Sequence, residues 1–240
     1  MAAQTEPEFI LYDLACTKNE CFSPAVWKIR MLLNHKQIPY KTVFLEFPDI
    51  APTLSGFGIS LAPGQSKYTV PAIHHLPTST YLMDSTPIAA FIHSLHPLPP
   101  INLASDFGTE ILAEMRTAAG PAWRISVTPR EVGILSPRAE EYFRQTREPV
   151  MGPLEALLDG DKEERAWQEA DKGLKAVGDK MRREGGPFVL GREVSLTDFS
   201  IAGHVQLARV VDEKIYERLV GYEGFRGIYE ACGRWMERKD

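Results

Sequence analysis

Ser23 directly precedes Pro24, and a serine ahead of a proline that opens a helix stands at the N-cap. Its hydroxyl then lies beside unsatisfied N–H groups and the positive end of the helix dipole, a place that favours an anion such as a thiolate. A free thiol of pKa ~8.5 is mostly protonated at neutral pH, and each unit of lowering is worth ~1.4 kcal/mol in favour of the thiolate. One hydrogen bond plus a dipole could supply roughly one to two such units. On Ser-Pro alone, a plain helix cap is the preferred reading.

Two other pairs could add recognition. Val70-Pro71 enters a strand-like run, where proline is excluded unless its bond is cis or the strand lies at an edge. A cis Pro71 would turn the Val70 amide and carbonyl outward to meet an extended peptide; an edge-strand proline is the alternative. Asp84-Ser85 combines a carboxylate that could hold an ammonium with a hydroxyl and free helix-start amides that could hold a carboxylate. An α-amino acid head group presents both charges. Alone, Asp-Ser is a helix cap.

The elements needed to bring these pairs together are legible. FILYDL (Phe9 to Leu14) reads as a buried strand, Ser23 caps a helix with a Val26, Ile29, Leu32 and Leu33 stripe, and Tyr40 to Phe47 reads as a second strand. Strand, helix, strand is the pattern of a crossover between parallel strands. Pro48 to Lys67 reads as irregular. Tyr68 to Ile73 and Thr80 to Met83 follow as a hairpin, then a helix from Asp84 or Ser85 through Leu95. The order β-α-β, loop or short helix, β-β-α predicts a thioredoxin-like domain over residues 1–96.

The proline-dense stretch His96 to Pro100 cannot continue a helix, so residues 97–104 read as a linker and 105–240 as an all-helical second domain. Helices are expected near Asp106 to Trp123, Pro137 to Leu158, Lys162 to Glu184, Leu196 to Val211 and Phe225 to Arg238. Pro149 and Pro153 should kink or divide the second, and Pro121 to Pro137 should be an irregular link. Ser195-Leu196-Thr197-Asp198 has capping-box spacing, with Asp in the usual place of Glu, before a helix apolar on nearly every face and therefore buried.

Composition excludes some partners. A net charge of -5 over 240 residues argues against nucleic acid. Met1 to Glu8 lacks the pattern of a secretory signal and no segment has the apolar length of a membrane span, which points to a cytoplasmic protein without a membrane partner. Three cysteines fit a reducing compartment. Gly56-Phe57-Gly58 lacks the surroundings of a phosphate loop, His74-His75 reads as exposed turn residues rather than a metal site, and Tyr142, Phe143 and Trp167 read as core.

Over nearly its whole length the sequence resembles the glutathione transferases, particularly serine-type bacterial lignin β-etherases and their fungal etherase-like relatives. LYDLACTKNECFSPAVWKIRMLLNHKQIPY looks like their first strand, loop and helix. YTVPAI and MDSTPIAAFI are similar to the cis-proline and acidic-Ser motifs, SLTDFSIAG to the helical domain's capping motif, and EYFRQTREPVMG to a stretch of fungal members. The resemblance implies glutathione as cosubstrate, Ser23 as the thiol-activating residue, and a cis Pro71. It also implies Val70 on the cysteinyl backbone, Asp84 and Ser85 on the γ-glutamyl end, Lys67 as a weaker candidate for the glycyl carboxylate, and a homodimer. Asp-Ser departs from the more frequent Glu-Ser and reaches less far.

The expected reaction is attack of glutathione thiolate on a hydrophobic, aromatic or unsaturated electrophile: conjugation, β-ether cleavage or double-bond isomerisation in fungal secondary metabolism. The second substrate is expected in a cleft lined by the Cys16 to Phe22 loop and by Met115, Ala119 and Trp123. Two alternatives stand beside it. Cys21 could be the nucleophile of a thiol transferase working through mixed disulfides, although Ser23 directly precedes the proline and Cys16 and Cys21 do not form C-x-x-C. The fold could also serve a non-catalytic ligand-binding regulator.

Overall fold

The computed structural model describes residues 6–61 and 63–238; the first five residues of the stretch read above for a leader, and the last two of the helical domain, lie outside them. Strand β1 (Phe9–Leu14) is followed by α1 (Pro24–His35), β2 (Tyr40–Leu45), α2 (Phe47–Gly56), β3 (Ala72–His75), β4 (Thr80–Met83) and α3 (Ser85–Leu95). The four strands form one mixed sheet in the order β2-β1-β3-β4. β1 runs parallel to β2, with Phe9 opposite Tyr40, and antiparallel to β3, with Tyr12 opposite Ala72. This is the thioredoxin-like arrangement expected from the sequence.

Two local expectations need correcting. The stretch from Pro48 is not irregular throughout, because Phe47 opens α2, with Pro48 in its first turn where the missing N–H costs nothing. Ile50 and Leu54 give that helix its buried face. The third strand begins at Ala72 rather than Tyr68, since Pro71 has no N–H for the ladder.

Beyond α3 the chain is helical: α4 (Asp106–Ser126), α5 (Thr128–Glu131), α6 (Pro137–Met151), α7 (Lys162–Met181), α8 (Leu196–Val211), α9 (Glu213–Val220) and α10 (Glu223–Cys232). α4 continues through Pro121, and the expected irregular link is mostly this extension plus α5. Burial of Ala122 and Ser126 supports the extension, and the Trp167 indole donates to Ser126 Oγ at 2.7 Å to fasten α7 against it. α6 ends at Met151, before Pro153, and α9 occupies a stretch in which no helix was predicted. Phe143 and Trp167 are core residues, but Tyr142 is exposed. His75 is buried and bonded to Thr78 Oγ1 at 2.7 Å, and His74 stacks on Tyr81, so neither is a free turn residue.

α8 is the axis of the helical part: fourteen of its sixteen residues are buried, His204 and Arg209 being the exceptions. Its start closes inside the protein. Asp198 accepts from Ser195 N at 2.8 Å, Ser195 Oγ at 2.6 Å and Val189 N at 2.7 Å, and Leu196 N donates to Asn102 O at 3.0 Å, tying in the stretch after α3. No helix of the described residues is long and apolar enough to cross a membrane.

Removing the Asp198 carboxylate strands two buried N–H groups, each worth about 1–3 kcal/mol. Asp198→Ala is therefore expected to lower unfolding free energy by about 3 kcal/mol or more, as measured by urea denaturation.

Candidate functional site

The start of α1 is set by Ser23, whose backbone is extended and whose Oγ accepts from Val26 N at 3.5 Å. Ser23 is 8% exposed. A hydroxyl that accepts in a cap still carries its own proton, and no described residue accepts that proton from Ser23. Capping and donation to an anion are thus compatible at one oxygen, and the α1 dipole acts in the same direction.

The Val70-Pro71 bond is cis. Neither the amide nor the carbonyl of Val70 has a hydrogen-bond partner among the described residues, although β3 begins two residues later. This is a short unpaired edge. Asp84 N donates to Pro71 O at 3.1 Å, which fixes the edge beside the start of α3.

Asp84 adopts a positive φ of 74°, a conformation costly for a non-glycine residue that tends to cluster at ligand sites. Its carboxylate accepts from Gln65 Nε2, and from Thr69 Oγ1 at 3.2 Å. These two neutral donors were not found by sequence reasoning; they come from the segment before β3 and orient the carboxylate without neutralising it. The Ser85 hydroxyl is half-buried and engaged by no described residue, at a helix N-terminus whose first amides are unsatisfied. Lys67 is exposed and unpaired among the described residues. The fold thus joins Val70, Pro71, Asp84 and Ser85 directly, sets Ser23 at the end of the loop leaving the neighbouring strand, and leaves Lys67 on the approach.

Cys21 stands elsewhere in chemical terms. It is 2% exposed, its thiol donates to the buried Asp13 carboxylate, and its carbonyl accepts from the Trp27 indole at 2.7 Å. The thiol faces the core. Cys16 is partly exposed and donates to Glu20 O at 3.2 Å.

A cavity of about 260 Å³ is lined by Met115, Ala119 and Trp123, as expected, together with His204. No residue of the Cys16 to Phe22 loop lines it, which corrects the expected lining: Cys21 and Phe22 are packed into the core instead. The helix that carries His204 nevertheless packs on the start of α1. Gly203, next to His204, lies so close to Pro24 that a Cβ there would come 2.7 Å from Pro24 O.

α6 and the turn that leads into it reach over to the sheet domain. Thr17 N donates to Ile134 O at 2.8 Å, Arg138 bridges to Asp49 at 2.6 Å, and Phe143 packs on Phe47 with centroids 5.4 Å apart. Glu131, half-buried beneath this contact, has its carboxyl pushed up to about 7 by burial, against the opposing pull of Arg147.

A thioredoxin-like sheet with an unpaired edge, an acid-serine pair at one helix start and a capping serine at another, joined to an α-helical domain built on a buried capping box, is the plan of the glutathione S-transferases. The chain belongs to that superfamily: the N-terminal domain family of glutathione S-transferase matches residues 22–95, and the C-terminal domain family residues 113–230. It is 28% identical to the glutathione S-transferase-like protein ustS of Aspergillus flavus, covering 99% of this chain and 94% of that one. A glutathione S-transferase of Ceriporiopsis subvermispora, crystallised with glutathione, superposes with a TM-score of 0.84 at 27% identity, covering 97% of this chain and 99% of its own. Glutathione transferase GSTFuA2 of Phanerochaete chrysosporium gives 0.81 at 28% identity, covering 98% and 100%.

Replacing glycine by alanine inside a helix ordinarily stabilises by about 1 kcal/mol. Gly203→Ala is expected to do the opposite, because its new methyl meets backbone and overpacking costs about 1–3 kcal/mol; a lowered denaturation midpoint checks this. Glu131 supplies a pH signature. Its folded pKa lies above its ordinary value of 4.5, so its contribution is fully present below that pH and is lost as pH rises through about 7. Stability of the wild type relative to Glu131→Gln should therefore fall by up to about 3 kcal/mol across that window, measured by denaturation at stepped pH.

Proposed function

We propose that this chain is a serine-type glutathione transferase in which Ser23 stabilises glutathione thiolate for attack on an electrophilic aromatic or unsaturated molecule. The observation that carries the reading is the unpartnered Val70 backbone held against Asp84 and Ser85. It offers one N–H and one C=O to an extended peptide, beside a carboxylate for its ammonium and a hydroxyl with helix amides for its α-carboxylate. Those are the demands of a γ-glutamyl-cysteinyl ligand. The complex of the Ceriporiopsis relative with glutathione supports the same ligand here, and Lys67 is the cation nearest in sequence for its glycyl carboxylate.

In this reading the Ser23 hydroxyl donates to the thiolate sulfur while the start of α1 supplies positive potential. Together these lower the thiol pKa by roughly one to two units, raising the thiolate fraction at neutral pH about tenfold or more. The electrophile approaches from the helical side, where Met115, Ala119 and Trp123 stand. Conjugation, β-ether cleavage and double-bond isomerisation all start from this thiolate. Two copies of the chain associate as a homodimer, and the protein works in the cytoplasm.

The test is glutathione titration of wild type, Ser23→Ala and Cys21→Ser, following thiolate absorbance and turnover of a generic electrophile. Cys21→Ser keeps a donor for Asp13 and should retain activity. Ser23→Ala should lose about tenfold to a hundredfold in kcat/KM and raise the bound thiol pKa. Unchanged thiolate formation in Ser23→Ala with activity abolished in Cys21→Ser would transfer the role to cysteine, and binding without turnover over a broad substrate panel would favour a regulator.

A further inference from the structure

His204 is a polar side chain on the most buried helix of the molecule, and its partial exposure coincides with the cavity against Trp123. One ring nitrogen is accounted for: Nδ1 lies 2.7 Å from Ser200 O, a carbonyl that can only accept, so Nδ1 carries the proton. Burial, and the nearby cations Lys28 and Arg116, push the imidazole pKa down and keep the ring neutral. Nε2 is then a lone-pair acceptor, and no described residue donates to it. The cavity therefore presents one directional acceptor in an otherwise largely apolar interior formed by Met115, Ala119 and Trp123.

Its rim has the opposite character. Arg116 and Arg124 both line it, both are exposed, and neither has an ion-pair partner among the described residues. No acidic residue lines the cavity. In a chain with a net charge of -5, two unpaired guanidiniums at the rim of an apolar pocket amount to a local preference for an anion. The volume of about 260 Å³ is below the ~300–1,000 Å³ usual for drug-sized ligands, which limits the occupant to about one substituted ring.

We infer that this cavity binds a small planar carboxylic acid carrying a hydroxyl or N–H donor, with the carboxylate at Arg116 and Arg124 and the donor on His204 Nε2. The inference deepens the proposed function by naming the class of second substrate, and rests on that reading for the ligand's place next to the thiolate; binding itself needs no glutathione. Gly203 and His204 are consecutive on α8, and Gly203 abuts the Pro24 backbone. A ligand seated on His204 is thereby held by the same helix that packs against the start of α1.

Calorimetric titration of the full chain with 4-hydroxycinnamate, with its methyl ester and with unsubstituted cinnamate tests this. The ester removes the charge and cinnamate removes the donor, and each should bind about five- to tenfold more weakly than the hydroxy acid. His204→Leu should abolish the preference for hydroxycinnamate over cinnamate, and the double change Arg116→Ala, Arg124→Ala the preference for acid over ester. Gly120→Leu locates the site: Gly120 lines the cavity and a Cβ there meets no atom within 4 Å, so a leucine there should occupy the cavity and abolish binding without loss of fold. Equal binding of the three probes to wild type, no binding at millimolar concentration, or full binding by Gly120→Leu would overturn the inference. Ser23→Ala should keep hydroxycinnamate affinity, so failure of the thiolate assignment and failure of the cavity assignment give different results.

Discussion

The loop that carries Ser23 is held from beneath by one buried ion pair. Asp13, at the end of β1, and Arg30, on α1, meet at 2.7 Å with both side chains 0% exposed. Desolvating two charges is costly, and removing either partner of such a pair typically costs about 3–5 kcal/mol, because the other charge is stranded. Burial raises the Asp13 carboxyl while the guanidinium pulls it down. Around the pair, Arg30 also donates to Thr42 Oγ1 at 3.0 Å and lies between the rings of Trp27 and Tyr40, and the Cys21 thiol donates to Asp13. β1, β2, α1 and the loop before Ser23 thus converge on one electrostatic point. A hydroxyl at an N-cap can act on a ligand when its helix does not move, and this pair supplies that rigidity.

The helical part completes the placement by close approach. Gly203 lets α8 rest on the first turn of α1, the Asp198 capping box fixes where α8 begins, and α6 clasps α2 through Phe143 and Arg138. In the proposed function the peptide-recognition groups come from the sheet domain and the apolar cavity from the helices. The chemistry is therefore a property of how two architectures meet, with α1 as the shared element.

What could be read in the sequence was what depends on near neighbours. Ser23-Pro24 and Ser195 to Asp198 specify helix starts through groups one to three residues apart, and Leu196 to Val211 was bounded as observed because its caps are local. The short helix α2 was hidden because Pro48 and Pro52 suggest a loop, and its apolar anchors Ile50 and Leu54 are too few to show a period. Gln65 and Thr69 meet Asp84 from 19 and 15 residues away, and nothing in their type announces it. The inward turn of Cys21 depends on Asp13 and Trp27 together. His204 gave a signal that could have been followed, a lone imidazole in an apolar run, but its free nitrogen acquires meaning when α4 lies opposite.

The division of the cavity wall between α4 and α8 has a consequence for how such a protein can change. Positions 116, 120 and 124 lie along one side of α4, and among them the two arginines bear on nothing in the frame that holds Ser23. Gly203, next to His204, is locked to that frame through Pro24. On the proposed reading, diversification of acceptor preference is thus cheap along one helix and expensive along the other. A lineage of such chains would explore new small molecules by rewriting the α4 side, while α8 and the serine it steadies stayed in place.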